Sequence, residues 1–218
     1  MGLRKGGGCM NWMDMSLREF QAALASSSPT PGGGTAAAVA LGQAASLTVM
    51  VCDLTIGKPK WEAGWANAET TQLVAIPMMN RAGKLATEDS DSFDAVMAGY
   101  GMPKATEEEK NARRSAIRQA TLKAAEVPFH TATLALQLLN HMPALARTGN
   151  ANAVTDVGVA GLLASAAAKG AVFNVEINLN GLPAEYGIEL REDLVDLKEQ
   201  IRIKSREVMD AVRDRMAE

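Results

Sequence analysis

Aromatic side chains make up only 4% of this 218-residue chain, and there are two cysteines and two histidines. Each shortage excludes something. Few aromatics among many Ala, Leu and Met residues disfavour a β-sandwich and favour helices packed through small side chains. Cys9 and Cys52 make neither a C-x-x-C pair nor a disulfide framework, which fits a reducing cytoplasm. His130 and His141 are separated by eleven helical residues, roughly 16 Å, too far to share one metal ion. No basic stripe stands out against the net charge of −3, so nucleic acid is not an expected partner. No membrane is expected either. The uncharged run from Thr35 to Cys52 falls short of the roughly 20 apolar residues that a span needs, and it contains Gln43, Ser46 and Thr48.

What is present is helical. Hydrophobic residues at 47% allow a substantial core, and 22% charged residues leave an ordinary surface. Residues 1–14 read as a disordered leader and 15–218 as one helical domain. Ser16 with Glu19 forms a capping box that opens a short helix over Met15 to Ser26. Ser26 to Pro31 stops it, and Gly32 to Gly34 make a turn. Long helices are then predicted from Thr35 to Ile56 and from Glu62 to Tyr100, the second kinked near Pro77. Thr106 followed by three glutamates starts another, kinked at Pro128 and running to Arg147. Thr155 to Asn178 and Glu189 to Met216 complete an all-α, single-domain bundle of about five long helices plus short ones. Val172 to Leu179 is the nearest approach to a strand pattern, and it continues a helix equally well. Gly34, Ala38 and Gly42 give one helix a small-residue face. Gly158, Gly161, Ala164, Ser165 and Ala168 give another, and such faces suit a second subunit or close packing within one chain.

Some chemistries lack their residues. The glycine run ends in Thr35 without a preceding strand or a Lys-Ser/Thr ending, so it is neither a phosphate loop nor a dinucleotide-binding turn. No nucleophilic cysteine or Ser–His pair suggests covalent catalysis. Acid–base and electrostatic chemistry from Asp, Glu, Lys and Asn remains.

Several segments, in order, resemble one enzyme family. They are Ser28-Pro-Thr-Pro-Gly-Gly-Gly-Thr35, Leu54-Thr-Ile-Gly-Lys58, Asp91-Ser-Phe-Asp-Ala-Val-Met97 and Met102-Pro-Lys104. Val127-Pro128, Gly149-Asn150, Asn152, Thr155-Asp-Val-Gly-Val-Ala160 and Asn174-Val-Glu-Ile-Asn-Leu179 follow. Together they are similar to the formiminotetrahydrofolate cyclodeaminase and methenyltetrahydrofolate cyclohydrolase family, which includes the cyclodeaminase domain of formiminotransferase-cyclodeaminase. Thr35 replaces a more usual Ser, Asp53 stands where Asn is common, and the stretch around Trp61 to Pro77 matches little.

The resemblance implies an all-helical subunit that forms a homodimer or larger assembly, with a folate substrate. The reaction would be cyclodeaminase first, with cyclohydrolase as the alternative. A non-catalytic module binding folate or protein is the alternative of another class. Neither reaction needs a metal or organic cofactor, because the folate carries the one-carbon unit.

Both reactions pass through a tetrahedral carbon between two folate nitrogens, with protons moving on and off nitrogen and oxygen. Asp156 is the first choice for acid–base work or for stabilising the cation, although the start of a helix also suits an aspartate structurally. Lys58 and Lys104 are candidates to attract the glutamate tail or shift a nearby proton equilibrium; Lys60 reads as a solvated charge. Ser28, Thr30, Gly32, Gly33, Gly34 and Thr35 form the expected substrate-binding turn, where helix N–H groups would meet a carboxylate or the pterin edge. Asn174 and Asn178 are expected to bind substrate or to bond between helices. Asp91 and Asp94 lie one turn apart and suit a solvated acidic face. Asp156 and Asn174 share a helix face but stand about 27 Å apart, so they serve different ends of one folate or meet across a dimer. The glycine turn and Asp156 are expected to face one cavity.

Overall fold

A computed structural model describes residues 11–218, and among these it contains helices and no strand. The long helices are α1 (Leu17–Leu24), α2 (Gly33–Thr55), α3 (Trp65–Tyr100), α4 (Glu107–Thr148), α5 (Val154–Asn180) and α6 (Ile188–Ala217). Short 3-10 turns cover Trp12–Asp14, Pro59–Gly64 and Ala151–Ala153. The expected disordered leader holds for none of its last four residues. Trp12 donates its indole N–H to Ser90 Oγ at 2.9 Å, and Met13 packs over Gly83. Residues 1–10 lie outside the described residues.

Capping chemistry fixes two of the helix starts. Ser16 and Glu19 form the reciprocal box at α1, and Thr106 with Glu109 does the same at α4. Helices α2 to α5 close into an up–down ring in which each packs on the next and α5 returns to α2, while α6 lies against α4 and α5. Leu41, Val51, Leu138, Leu139, Met142, Val157 and Val175 are fully buried in the centre.

The small-residue faces work inside the chain. On α2, Gly34 meets Asp89 and Gly42 meets Ala82, both on α3. On α5, a Cβ at Gly161 would lie 2.6 Å from Val208 Cγ1, so the missing side chain is what lets α6 approach. A second subunit is therefore not what these faces bind. The exposed sides of α2 and α5 carry larger apolar residues instead, including Met50, Leu54, Leu162, Phe173 and Ile177. By length and composition alone α2 and the stretch Ala151–Asn180 would each suffice to cross a membrane, since α2 outruns the predicted run at both ends. Buried shares of 56% and 50% in their most apolar windows mark them as core helices with one open side each.

Pro77, Pro128 and Pro143 all sit within continuous helices. A proline has no N–H for the carbonyl four residues earlier, so Pro128 leaves Ala124 O without its helical donor. Asn178 repairs this. Its Nδ2 donates to Ala124 O at 2.8 Å and to Asn174 O at 2.9 Å, tying α5 to α4 at the proline. The interhelical bond is thus the observed part played by Asn178.

Asn178→Ala should cost about 1–3 kcal/mol, because a buried carbonyl loses its partner. In a Pro128→Ala background the loss should shrink, since an alanine at that position restores the backbone donor. Equal losses in a urea double-mutant cycle would contradict this account.

Candidate active site

The turn before α2 runs through exposed Ser28, half-buried Thr30 and buried Pro31, with a cis Thr30–Pro31 peptide. Gly32 caps α2 with no side chain to offer. The cap comes from another helix. Asp89 of α3 accepts a hydrogen bond from Thr35 Oγ1 at 2.9 Å on Oδ2, and the Thr35 backbone N–H also points to this carboxylate. Gly34 leaves the room: a Cβ there would fall among the Asp89 carboxylate atoms, 2.6 Å from Cγ. Thr35 Oγ1 also lies 3.2 Å from Ser90 Oγ, which extends the chain to Trp12.

The N-terminus of α2 therefore already holds an anion, the protein's own. From the sequence that place suits a substrate carboxylate, and Asp89 does not stand out. A signal was available: Ala82, Leu85, Ala86 and Asp89 fall on one helical face, and the first three are buried. An aspartate that continues a buried stripe needs a partner or a purpose. Asp91 and Asp94 turn to other sides of α3; Asp91 is exposed and Asp94 half-buried.

Burial raises the Asp89 carboxyl above the ordinary aspartate value of 3.8, and the two bonds from Thr35 only partly offset it. On the other side of the turn stands Asn174. Its Nδ2 donates to Gly170 O at 2.9 Å and would lie 3.8 Å from a Cβ at Gly33. Gly33 is exposed between the two polar groups. This end of the bundle thus joins the glycine turn, Thr35, Asp89 and Asn174, with Asn178 one turn beyond. Above it, α3 continues eleven residues past Asp89 to Tyr100, an overhang of about 16 Å. The overhang pairs with the start of α4 through Gly99 against Ile117, and it exposes Phe93, Met97 and Tyr100.

The other predicted residues are elsewhere. Helix α2 descends from the glycine turn while α5 ascends, so half-buried Asp156, in the first turn of α5, lies at the opposite end of the bundle. Asn150 ties that end together, its backbone N–H donating to Thr55 Oγ1 at 3.0 Å and its Nδ2 to Leu54 O at 3.0 Å. Lys58 is exposed there, its carbonyl accepting from Trp65 Nε1 at 3.2 Å. Arg215 leans over the Trp61 ring at 5.8 Å with its Nε buried and unpaired. Lys104 sits exposed in the α3–α4 connection, at the tip of the overhang. One chain by itself does not bring Asp156 and the glycine turn to a common cavity.

Cys52 is buried on α2, and burial, with Asp53 beside it, pushes its thiol up to about 12, far from nucleophilic use. Among the described residues no group of three or more His, Cys, Asp or Glu side chains could hold a metal ion.

A carboxyl raised in the folded state binds more protons than in the unfolded chain at pH values between 3.8 and its folded value. Its contribution to stability therefore falls as pH rises through that window. The unfolding free energy of the parent chain minus that of Asp89→Asn, followed by urea denaturation across pH 3.5–7, should decrease with pH. A flat difference would count against the raised carboxyl.

Comparison with known proteins places this geometry. The family model described as "Formiminotransferase-cyclodeaminase" matches residues 16–193. A methenyltetrahydrofolate cyclohydrolase from Methylorubrum extorquens is 38% identical over 167 residues, covering 77% of this chain and 80% of that protein. A rat formimidoyltransferase-cyclodeaminase is 30% identical over 197 residues, covering 88% of this chain and 34% of that protein, so the chain spans about a third of the rat protein. The crystal structure of formiminotetrahydrofolate cyclodeaminase from Thermotoga maritima superposes with a TM-score of 0.79 at 25% identity, covering 94% of this chain and 97% of that one. An all-helical ring with a capped glycine turn and a family match over most of its length together make this chain a member of the formiminotransferase-cyclodeaminase family.

Proposed function

We propose that the chain is a methenyltetrahydrofolate cyclohydrolase, adding water to the methenyl bridge of the folate to give formyltetrahydrofolate. The observation that carries this is the 38% identity to a cyclohydrolase that the match covers over most of its length. Cyclodeaminase, the first expectation from the sequence, becomes the second reading. It is favoured by the Thermotoga maritima superposition and by the rat relative.

The two reactions ask the same of the protein. Water, or the second folate nitrogen, attacks the bridging carbon and gives up a proton; a carbon–nitrogen bond then breaks, and the leaving nitrogen takes up a proton. In the hydrolysis, the attacking water's proton goes to a carboxylate and the carbon becomes tetrahedral. That proton then passes to the departing ring nitrogen, while the hydroxyl proton leaves to solvent as the formyl carbonyl forms. A carboxyl lifted above its usual range is a better base and remains a competent acid. Asp89 has this property and borders the exposed backbone of Gly33.

Asp156, at the opposite end of its own chain, supplies a second negative charge against the cationic bridge only from a further copy of the chain, the assembly that the family resemblance implies. Gly32 to Thr35 and Asn174 border the substrate's polar ring, with Ser28 and Thr30 on the approach, and Asn178 holds Asn174 in place through its carbonyl. Lys104, exposed at the tip of the overhang, and Lys58, exposed at the Asp156 end of a further copy, attract the tail carboxylates rather than touch the reacting carbon. Neither reading calls for a metal or organic cofactor, since the folate brings the one-carbon unit.

The assay follows methenyltetrahydrofolate absorbance from either side with ammonia measured. Consumption of the methenyl compound by water, without ammonia, is expected. Formation from formiminotetrahydrofolate with ammonia release would shift the assignment to the second reading. Asp89→Asn and Asp156→Asn should each lower kcat/KM at least about tenfold, or roughly 1.4 kcal/mol in the barrier, with unchanged helical content. A variant that keeps the full rate removes its residue from the mechanism.

A further inference from the structure

The side of α3 that packs on α2 does not end where α2 ends. Ala82 meets Gly42 and Asp89 meets Gly34, two contacts on one side of α3. Steps of four, four and three residues carry the same side on to Phe93, Met97 and Tyr100. Helix α2 starts at Gly33, level with Asp89, so these three have no turn of α2 opposite them. They are 37%, 51% and 54% exposed. The adjoining side of the overhang is closed, since Gly99 packs against Ile117 of α4. Helical side chains lean towards the N-terminus, and on α3 that direction points from Phe93 back to Asp89 and the glycine turn.

Charge stands at the far end of this apolar wall. Arg113 of α4 donates from Nε and Nη2 to the Tyr100 carbonyl, at 3.3 and 3.1 Å, and lies 5.4 Å from the centre of the Tyr100 ring. Its Nη1 is left for an incoming group, and a guanidinium favours a carboxylate there. Exposed Lys104 follows at the tip. Of the acids that open α4, Glu109 caps the helix and Glu107 pairs with Lys110 at 2.6 Å.

Outwards from Asp89, α3 therefore offers a carboxyl, then an aromatic ring and a thioether about 6 and 12 Å away. A second ring with its guanidinium follows at about 16 Å. A reduced folate carries its groups in the same order: a polar bicycle with the bridging carbon, an aminobenzoyl ring, and the glutamate carboxylates.

We propose that this wall is the aminobenzoylglutamate site, with Phe93 and Met97 against the aromatic ring and Arg113 on a tail carboxylate. The inference deepens the proposed reaction and rests on it for the identity of the ligand. An aromatic ring stacks offset or edge-on against Phe93, and the Met97 sulfur suits a ring edge. The polar bicycle is left to Gly33 and Asn174, so the bridging carbon comes to lie beside Asp89.

Binding is tested first, without turnover. The four phenylalanines are labelled with 4-fluorophenylalanine, and the Phe93 fluorine signal is the one missing from Phe93→Leu. Titration with 5-formyltetrahydrofolate should move that signal, and in Arg113→Gln the same shift should need several times more ligand. A Phe93 signal that stays put while calorimetry shows saturation overturns the wall. So does one that moves with protein concentration instead, which would mark a contact between copies.

Kinetics then separates ring from tail. With methenyltetrahydrofolate, Phe93→Leu and Arg113→Gln should each raise KM roughly three- to tenfold with kcat nearly kept, and Phe93→Tyr should restore it. With methenyltetrahydropteroate, which lacks the glutamate, Phe93→Leu should still raise KM and Arg113→Gln should not. Equal effects of both variants on both substrates overturn the assignment. A Phe93 signal that answers the folate in a protein turning over neither methenyl- nor formiminotetrahydrofolate defeats the proposed reaction and leaves the wall standing. Normal turnover with an unresponsive Phe93 does the reverse, and absence of any folate binding overturns both.

Discussion

The contact on which the glycine-turn end of this bundle depends is that of the Asp89 carboxylate with the first turn of α2. A helix start presents unpaired N–H groups and partial positive charge, and here no side chain of its own turn answers them. Asp89 reaches across from α3, and the absence of a Cβ at Gly34 gives it room. Thr35 supplies the hydroxyl that fixes its rotation, and Ser90 and Trp12 brace the threonine in turn. Burial works against the charge while the Thr35 bonds work for it, and burial prevails. The result is a carboxyl held in place and raised above its ordinary value, beside an exposed strip of glycine backbone.

A similar division of side chains shapes the rest of the bundle. Small residues stand where helices of one chain must touch, at Gly42 on Ala82 and Gly161 on Val208. Large apolar residues are left on the open side of α2 and α5. Proline in α4 frees a carbonyl, and an asparagine of α5 takes it up. These local adjustments set the register between α2, α4 and α5, and the register decides which polar groups meet at each end.

Much of the fold was legible because helix starts and periodicity are local. Ser16 with Glu19, Thr106 with its glutamates, and the spacing of Ala and Leu mark every long helix to within a few residues. The site was less legible because it is made by register between helices far apart in sequence. Nothing local to Asp89 says that it meets Gly34, fifty-five residues earlier, and its neighbours Asp91 and Asp94 form the more visible pair. The small-residue faces were visible, but whether they meet a helix of the same chain or of another depends on packing. Likewise, the about 27 Å between Asp156 and Asn174 follows from helix geometry alone, and the open face between them emerges only from the folded ring.

In the proposed reaction Asp89, lifted by burial at the head of α2, is the group that moves the proton. The direct measurement is a carboxyl carbon NMR titration of Asp89 set beside the pH profile of kcat/KM for methenyltetrahydrofolate. The account requires Asp89 to titrate above the ordinary value of 3.8 and the rate to rise with its ionisation at the same apparent pKa. A rate indifferent to pH across the titration of Asp89, or a carboxyl that titrates at or below the ordinary aspartate value, would contradict it.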